Sequence, residues 1–192
     1  NFHAYLGSWV NISMKNSIEK LHKKIERIDI LVNNAGIPGG AIFEMTSMKN
    51  LKNVFEINFF SQIRLIQLLL KFLKKSKNGS IINIGSISGV VPERGNLMYG
   101  SSKASLMFAT KIMSKEFSNY NIRVNAVAPS VTATEMLDKM DKKAMEKMLK
   151  ISNLSKPLST AEIADEILFL ASEKSLKING QIIRLEGNKI DK

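Results

Sequence analysis

The segment DILVNNAG at residues 29–36 decides the fold that this sequence predicts. It is a short apolar run that ends in small and amide-bearing residues, which is typical of a buried parallel strand followed by a turn. Two further runs share this layout, SIINIGSISG at residues 80–89 and IRVNAVAPS at residues 122–130. Because segments with helical periodicity separate the runs, the sequence predicts an α/β fold with a doubly wound parallel sheet covered by helices on both faces.

The remaining elements follow from apolar spacing and from residues that start or stop helices. Strands are predicted at 4–12 and 181–185, helices at 16–26, 47–76, 98–119 and 160–172, and a methionine-rich helical segment at 134–150. The triplet at 77–79, Lys-Asn-Gly, is interpreted as a helix C-cap signal. No linker, repeat or low-complexity segment interrupts the sequence, so residues 1–192 are expected to form one domain.

The composition excludes several kinds of site. The 192 residues contain no Cys, which excludes a disulfide scaffold, a thiolate zinc site and a cysteine nucleophile. The two histidines, His3 and His22, lack the spacing of metal ligands, so no metal is expected. The net charge of +11 comes mainly from scattered lysines, which indicates a solvated surface. A site for an acidic partner is the alternative, and binding to nucleic acid is not expected.

The most apolar stretch, residues 57–73, bears on membrane association. Polar side chains interrupt it at Gln62, Arg64, Gln67 and Lys71. This interruption predicts a buried helix rather than a membrane span. Because no signal-peptide layout is visible either, a cytoplasmic protein without a membrane partner is expected.

Small and polar residues follow each predicted strand. They are Asn11 and Ile12 after the first strand, Asn34, Ala35 and Gly36 after the second, Ser86 after the third, and Thr132 and Thr134 after the fourth. In an open parallel sheet the carboxyl ends of the strands share one edge, where ligands bind. The pattern therefore favours a site for an extended ligand. Ordinary turns have a similar composition and remain the alternative at this point.

Tyr99 and Lys103 lie four residues apart at the start of a predicted helix, so both side chains are expected on one face. An ammonium beside a phenol favours the phenolate, so Lys103 is predicted to lower the pKa of Tyr99 from about 10. Such a tyrosine can act as a general acid near neutral pH. Ser86, thirteen residues earlier, could hydrogen-bond the same substrate oxygen. Asn58 interrupts an apolar helix and needs buried partners, either as a site residue or as a structural amide.

These features in this order resemble the short-chain dehydrogenase/reductase family, and most of all its 3-oxoacyl-acyl-carrier-protein reductase group. The features that carry the resemblance are Asn-Asn-Ala-Gly at 33–36, Asn58, Ser86, Tyr99 with Lys103, and Pro129 through Thr134. The resemblance covers essentially the whole chain. It implies a Rossmann-like domain and hydride transfer between a nicotinamide cofactor and a carbonyl or alcohol carbon.

The resemblance also implies roles for four catalytic residues. Tyr99 would be the proton donor, and Ser86 would position the carbonyl. Lys103 would hold the nicotinamide ribose, and Asn58 would anchor a water that links Lys103 to solvent. The cofactor, NAD(P) with NADP slightly favoured, would contact Asn11, Ile12, Asn34, Ala35, Gly36, Tyr99, Lys103, Thr132 and Thr134.

The chain departs from the family pattern at three places. Ser130 stands where the family usually has Gly after the proline, and Glu186-Gly187-Asn188 replaces a C-terminal Asp-Gly-Gly. The family's first strand, glycine-rich phosphate-binding turn and second strand do not appear before Asn11. A βαβ unit with a further helix comprises roughly 50 residues, so an N-terminally truncated chain is expected. The residues that distinguish NAD from NADP belong to this absent region.

Two classes of function follow. The first is an NAD(P)-dependent oxidoreductase, for which a 3-oxoacyl thioester on an acidic acyl carrier protein suits the basic surface; a sugar or sugar-nucleotide carbonyl is equally open. The alternative is a truncated, non-catalytic homologue that acts as an oligomeric binding or scaffold protein. The missing glycine-rich turn favours the alternative, whereas the complete set of catalytic residues favours the enzyme. Binding to nucleic acid would rest on charge alone.

Two predicted helices indicate self-association. Helix 47–76 is apolar around most of its circumference, and helix 98–119 adds Phe108 and Ile112 to its apolar positions. By the family resemblance, these helices would form a homodimer or homotetramer; a single chain that packs both helices on its own sheet is the alternative. The methionine-rich segment 134–150 lies where the family has a substrate lid, although ordinary packing explains its methionines equally well.

Overall fold

The computed structural model describes residues 25–133 and 142–187. Within these two ranges, four strands form one sheet in the order β1-β2-β3-β4, and every neighbouring pair is parallel. The strands are β1 (Ile30–Asn33), β2 (Gly79–Ile84), β3 (Ile122–Pro129) and β4 (Ile182–Leu185). In the register, Leu31 lies opposite Ile81, and Ile81 lies opposite Val124. This arrangement confirms the predicted α/β fold and places the ends of β1, β2 and β3 along one edge of the sheet.

In the described residues, five α-helices connect or flank the strands. They are α1 (Met48–Phe55), α2 (Ser61–Leu73), α3 (Leu97–Glu116), α4 (Lys142–Ile151) and α5 (Thr160–Ala171). A π-helical turn at Glu56–Phe60 joins α1 to α2 without a break in helical backbone angles. Short 3₁₀ turns lie at Phe43–Met45, Ile87–Gly89, Ser118–Tyr120 and Glu173–Ser175.

Side-chain caps fix the beginnings of two helices. The Ser47 hydroxyl accepts a hydrogen bond from the Asn50 amide at 3.2 Å, which satisfies a donor of the first turn of α1. Ser159 and Glu162 form a reciprocal capping box at the start of α5. These hydrogen bonds from Ser159 lower the pKa of Glu162. Both caps follow the Ser-x-x-Asn and Ser-x-x-Glu spacings of the sequence.

The sheet is covered on both faces because alternate residues of each strand point in opposite directions. Ile81 and Ile82 of β2 are both fully buried, one in each layer of the core. Helices α2 and α3 and the residue that follows α3 pack on the first face through Leu65, Ile66, Leu69, Leu73, Met113 and Phe117. Helix α5 packs on the second face through Ile167, Leu170 and Ala171. Each such buried aliphatic side chain contributes about 1.5–3 kcal/mol.

Several predicted boundaries differ from the structure. The helix predicted at 47–76 ends at Leu73 and contains the π turn, and the helix predicted at 98–119 ends at Glu116 before a 3₁₀ turn. Gly79, interpreted as part of a helix cap, is instead the first residue of β2. A Cβ atom on Gly79 would lie 2.9 Å from Ile122 Cγ1, so close strand packing explains this glycine.

Other predictions fall wholly or partly outside the described residues. The strand predicted at 4–12, nearly all of the helix predicted at 16–26, and the first part of the segment at 134–150 belong to this group. The second part of that methionine-rich segment forms helix α4. Within residues 25–133 and 142–187, no helix is long and apolar enough to cross a membrane.

Candidate active site

The loop after β1, which contains Asn34, Ala35 and Gly36, is held by side chains of the neighbouring helix. The Gln62 side chain of α2 donates a hydrogen bond to the Ala35 carbonyl oxygen. One residue beyond Gly36, the Ile37 amide donates to Asn58 Oδ1 at 2.8 Å, and Asn58 Nδ2 donates to the Ile37 carbonyl oxygen at 3.0 Å. The helix therefore fixes the loop backbone at the carboxyl edge of the sheet.

Asn58 lies in the π turn between α1 and α2 and is fully buried. Its Nδ2 atom donates a second hydrogen bond to Ser102 Oγ at 3.0 Å, so both amide hydrogens have protein partners. The sequence left open whether Asn58 is a structural amide or a site residue. The structure gives it a structural function and also places it beside the site, because Asn58 Oδ1 and Lys103 Nζ both lie within 3.4 Å of the position that a Cβ atom on Gly36 would take.

Ser86 and Tyr99 come together at the end of β2. The Ser86 side chain accepts a hydrogen bond from the Ser88 amide at 3.2 Å and is also hydrogen-bonded to the Tyr99 side chain. The Ser86 residue is buried, whereas Tyr99 is half-buried. A Cβ atom on Gly100 would lie 2.6 Å from the Ser88 carbonyl oxygen, so this glycine lets α3 approach the turn that carries Ser86.

Lys103 is only 3% exposed, although its side chain carries an ammonium group. Its Nζ atom donates a 2.7 Å hydrogen bond to the Ile84 carbonyl oxygen, and lies 5.8 Å from the centroid of the Tyr99 ring. Burial lowers the pKa of Lys103 from 10.5 to about 8, because the charged form loses its hydration. Lys103 can therefore gain and lose a proton in the physiological pH range.

The predicted direction of the Tyr99 pKa shift was wrong. Burial raises the pKa of Tyr99 above 10.0, and the hydrogen bond with Ser86 opposes this change without reversing it. The spacing of Tyr99 and Lys103 indicated their proximity but not the loss of water around the phenol. A raised pKa keeps Tyr99 protonated at neutral pH, so the side chain is a hydrogen donor there.

Asn83 and Thr110 are buried polar residues that the sequence analysis missed, and together with Asn33 of the motif at 33–36 they support the site from within the core. Asn33 Nδ2 donates to Asn83 Oδ1 at 2.8 Å, and Asn83 Nδ2 donates to Thr110 Oγ1 at 2.8 Å. This chain of hydrogen bonds links β1, β2 and α3. Amides inside otherwise apolar strands were the available signal, because a buried amide needs partners. Ser102, which joins Asn58 to α3, was missed as well because serine is common in exposed helix positions.

The loop after β3 contains Ser130 and Thr132. Thr132 forms a parallel bridge with Leu158, and the Ala133 amide donates to the Leu158 carbonyl oxygen at 2.8 Å. At Ser130, where the family usually has Gly, the side chain donates a hydrogen bond to the Ser152 hydroxyl. The departure therefore adds a contact between this loop and the end of α4. The other predicted cofactor contacts, Asn11, Ile12 and Thr134, lie outside the described residues.

The residues at this edge fit the ribose of a nicotinamide cofactor. Lys103 has three N–H donors, and within the described part of the chain one of them is used, by Ile84. A Cβ atom on Gly36 would lie 3.2 Å from Lys103 Nζ and 3.4 Å from Asn58 Oδ1. The glycine therefore keeps the space in front of the ammonium free of a side chain. Two donors beside exposed loop backbone suit a ligand that carries vicinal hydroxyl groups.

A family model described as enoyl-(acyl carrier protein) reductase matches residues 11–187. The chain belongs to the short-chain dehydrogenase/reductase family. Members of this family are NAD(P)-dependent oxidoreductases, so the chain is assigned to that class of enzyme. The alternative of a non-catalytic homologue is not supported.

Individual relatives agree with the assignment. The chain is 37% identical to the 3-oxoacyl-[acyl-carrier-protein] reductase of Thermotoga maritima, over 92% of this chain and 72% of that protein. It is 34% identical to the acetoacetyl-CoA reductase of an Acinetobacter strain, over 84% of this chain and 65% of that protein. The solved structure of ElxO with NADP bound superposes with a TM-score of 0.82 at 29% identity, over 93% of this chain and 75% of that chain.

Proposed function

We propose that this oxidoreductase reduces the 3-keto group of 3-oxoacyl thioesters with NADPH. The observation that carries the proposal is the cluster of Ser86, Tyr99 and Lys103 at the carboxyl edge of the sheet, beside the loop that Asn58 clamps. The relatives named for 3-oxoacyl-acyl-carrier-protein and acetoacetyl-CoA reduction support this substrate class. The neighbour with NADP bound supports the choice of NADPH.

Tyr99 is the proposed proton donor. Its raised pKa keeps the hydroxyl protonated at neutral pH, as donation to a carbonyl oxygen requires. Ser86, which already hydrogen-bonds Tyr99, can direct its hydroxyl to the same oxygen and hold the ketone against the donor. When bound, the nicotinamide supplies the hydride that reaches the carbonyl carbon. The two side chains thus stabilise the charge that develops on the substrate oxygen.

Lys103 has two proposed tasks. Its free N–H donors would hold the hydroxyls of the nicotinamide ribose, and its positive charge would stabilise the Tyr99 phenolate that follows proton donation. Because its pKa is about 8, Lys103 can also return a proton to Tyr99 near neutral pH. Both amide hydrogens of Asn58 already have protein partners, so its side chain clamps the loop. A water that links Lys103 to solvent would therefore have to bond to an atom other than Asn58 Nδ2.

Further cofactor contacts are proposed from the family resemblance. The backbone of Asn34, Ala35 and Gly36 would line the ribose, and Thr132 with Thr134 would hold the carboxamide. Asn11 and Ile12 would pass the adenine. The net charge of +11 complements an acidic acyl carrier protein, which is the proposed carrier of the substrate.

A homodimer or homotetramer is the proposed assembly. Phe108 and Ile112 of α3 are 67% and 45% exposed, and Phe60 of the π turn is 52% exposed. A groove of about 750 Å³ runs beside the start of α3, between residues 41–44 and residues 88–104. A second copy of the chain would cover Phe60, Phe108 and Ile112. Light scattering of the purified protein tests this assembly, and a monomer at micromolar concentration would contradict it.

The activity is tested with the purified protein, NADPH and acetoacetyl-CoA as a soluble 3-oxoacyl thioester. Tyr99→Phe removes the proton donor and is expected to lower kcat by roughly 10²- to 10⁴-fold. Tyr120→Phe is the matched control, because Tyr120 is exposed and contacts Lys74 away from the site. Full activity of Tyr99→Phe would contradict the proposed role. Turnover of a sugar ketone instead of the thioester would contradict the proposed substrate.

A further inference from the structure

Ser102 connects the helix that carries Tyr99 to the loop beside Lys103. Its hydroxyl donates to the Tyr99 carbonyl oxygen at 2.7 Å and accepts from Asn58 Nδ2 at 3.0 Å. Asn58 in turn makes two hydrogen bonds with the backbone of Ile37. One hydroxyl group thus lies in a continuous series of hydrogen bonds from the Tyr99 backbone to the loop after Gly36.

The series is shielded from water along its centre. Asn58 and Ser102 are both 0% exposed, so water cannot replace a lost partner without entering the core. A serine in a helix often bonds to a carbonyl of the preceding turn, and this bond alone would have only local structural meaning. The Ser102 hydroxyl oxygen also accepts a hydrogen bond from Asn58 Nδ2. This second hydrogen bond connects α3 to a residue outside the helix.

We infer that Ser102 is a positioning residue for the reaction, which fixes the Tyr99 turn of α3 relative to Asn58 and the loop that Asn58 clamps. The inference rests on the proposed function, because Tyr99 and Lys103 are its catalytic residues. Loss of the hydroxyl leaves one amide hydrogen of Asn58 without its partner in the core. The clamp on Ile37 then loosens, and water reaches the side of Lys103 that faces Gly36.

The test compares Ser102→Ala with Ser114→Ala, a matched control on the same helix. Ser114 is also buried, and its hydroxyl donates to the Lys111 carbonyl oxygen at 2.8 Å, again three residues earlier. Both variants remove the same atom and the same kind of helix contact. Of the two serines, Ser102 is the one whose hydroxyl bonds to Asn58.

Three measurements are made on each variant. With NADPH and acetoacetyl-CoA, Ser102→Ala is expected to lower kcat by roughly tenfold, the size of one buried hydrogen bond, while KM for the thioester changes little. Because Lys103 is proposed to act in its charged form, kcat is expected to fall above about pH 8, and Ser102→Ala is expected to move this fall to higher pH, since a better hydrated Lys103 has a higher pKa. Hydrogen exchange at the Ile37 amide is expected to be faster, because this amide donates to Asn58.

Equal values for Ser102→Ala and Ser114→Ala in all three measurements would overturn the inference. Ser102→Cys keeps most of the side-chain volume and weakens the hydrogen bonds, so it gives the same comparison if the alanine variant does not fold. The exchange rate at Ile37 needs no turnover. An inactive wild-type protein would therefore contradict the proposed function and the positioning role together, whereas an active wild type with an unchanged exchange rate in Ser102→Ala would contradict the link from Ser102 to the loop alone.

Discussion

Lys103 and Arg123 are two buried cations of this protein, and they lie at different ends of the sheet. Lys103 is 3% exposed and Arg123 is 8% exposed, and burial lowers the pKa of both groups. Lys103 lies at the carboxyl edge and donates one hydrogen bond, to the Ile84 carbonyl oxygen. Arg123 lies near the start of β3, at the opposite edge.

The donors of Arg123 are used differently. Its two terminal nitrogens bond to the Leu170 and Ser172 carbonyl oxygens and to the Ser175 hydroxyl. Leu170 lies in the last turn of α5, and Ser172 follows the end of that helix, where cations stabilise the unpaired carbonyls. The terminal nitrogens of Arg123 therefore stabilise the fold, and its Nε is its one buried nitrogen without a partner among the described residues. Lys103, in contrast, has two of its three donors without a partner in the described part of the chain. A buried cation with unused donors at the carboxyl edge is the better indication of an active site.

The comparison predicts that replacing Arg123 causes a large loss of stability. Arg123→Met leaves the carbonyl oxygens after α5 without their partners and is expected to lower the free energy of unfolding by about 3 kcal/mol. Urea denaturation measures this change. The kcat of the folded variant is expected to stay close to that of the wild type, because Arg123 lies away from Tyr99. An unchanged unfolding free energy would show that Arg123 is not a structural cation.

For Lys103 the predicted effect on stability depends on pH. The pKa of Lys103 is about 8 in the folded protein and 10.5 in the unfolded chain, so the unfolded chain binds more protons between these values. Stability therefore rises with pH in this interval, by at most about 3 kcal/mol for this group. Below pH 8 the buried charge is destabilising, and above pH 10.5 the lysine is neutral in both states.

Lys103→Met isolates that contribution, because methionine fills the space without a charge. The difference in unfolding free energy between wild type and Lys103→Met, measured by urea denaturation at several pH values, is expected to shift in favour of the wild type as the pH rises from 7 to 10.5. A difference that does not change with pH would mean that Lys103 keeps its ordinary pKa.

The sequence predicted those features that depend on neighbours along the chain. The strands around Leu31, Ile81 and Val124 were recognised because an apolar run of that length needs two covered faces. The common edge for Asn34, Ser86 and Thr132 followed from the parallel order of the strands. The pairing of Tyr99 with Lys103 followed from their spacing of four residues.

The features that depend on distant neighbours could not be predicted in this way. The π turn around Asn58 is matched to the backbone of Ile37, which lies in a different loop. The raised pKa of Tyr99 depends on burial by the surrounding chain, which helix spacing does not describe. Gly79 was interpreted as part of a helix cap from its immediate neighbours in the sequence. Its close contact is with Ile122, in a strand more than forty residues away, which the local sequence does not show.

The most direct test of the account is the binding of NADPH to the wild type, Lys103→Met and Arg123→Met by isothermal titration calorimetry. The account predicts that Lys103→Met binds at least about tenfold more weakly, since charged hydrogen bonds to the ligand are lost. Arg123→Met is expected to bind with the wild-type Kd, measured where the variant is folded. Equal affinity of Lys103→Met and the wild type would contradict the claim that the buried lysine keeps its donors for the cofactor.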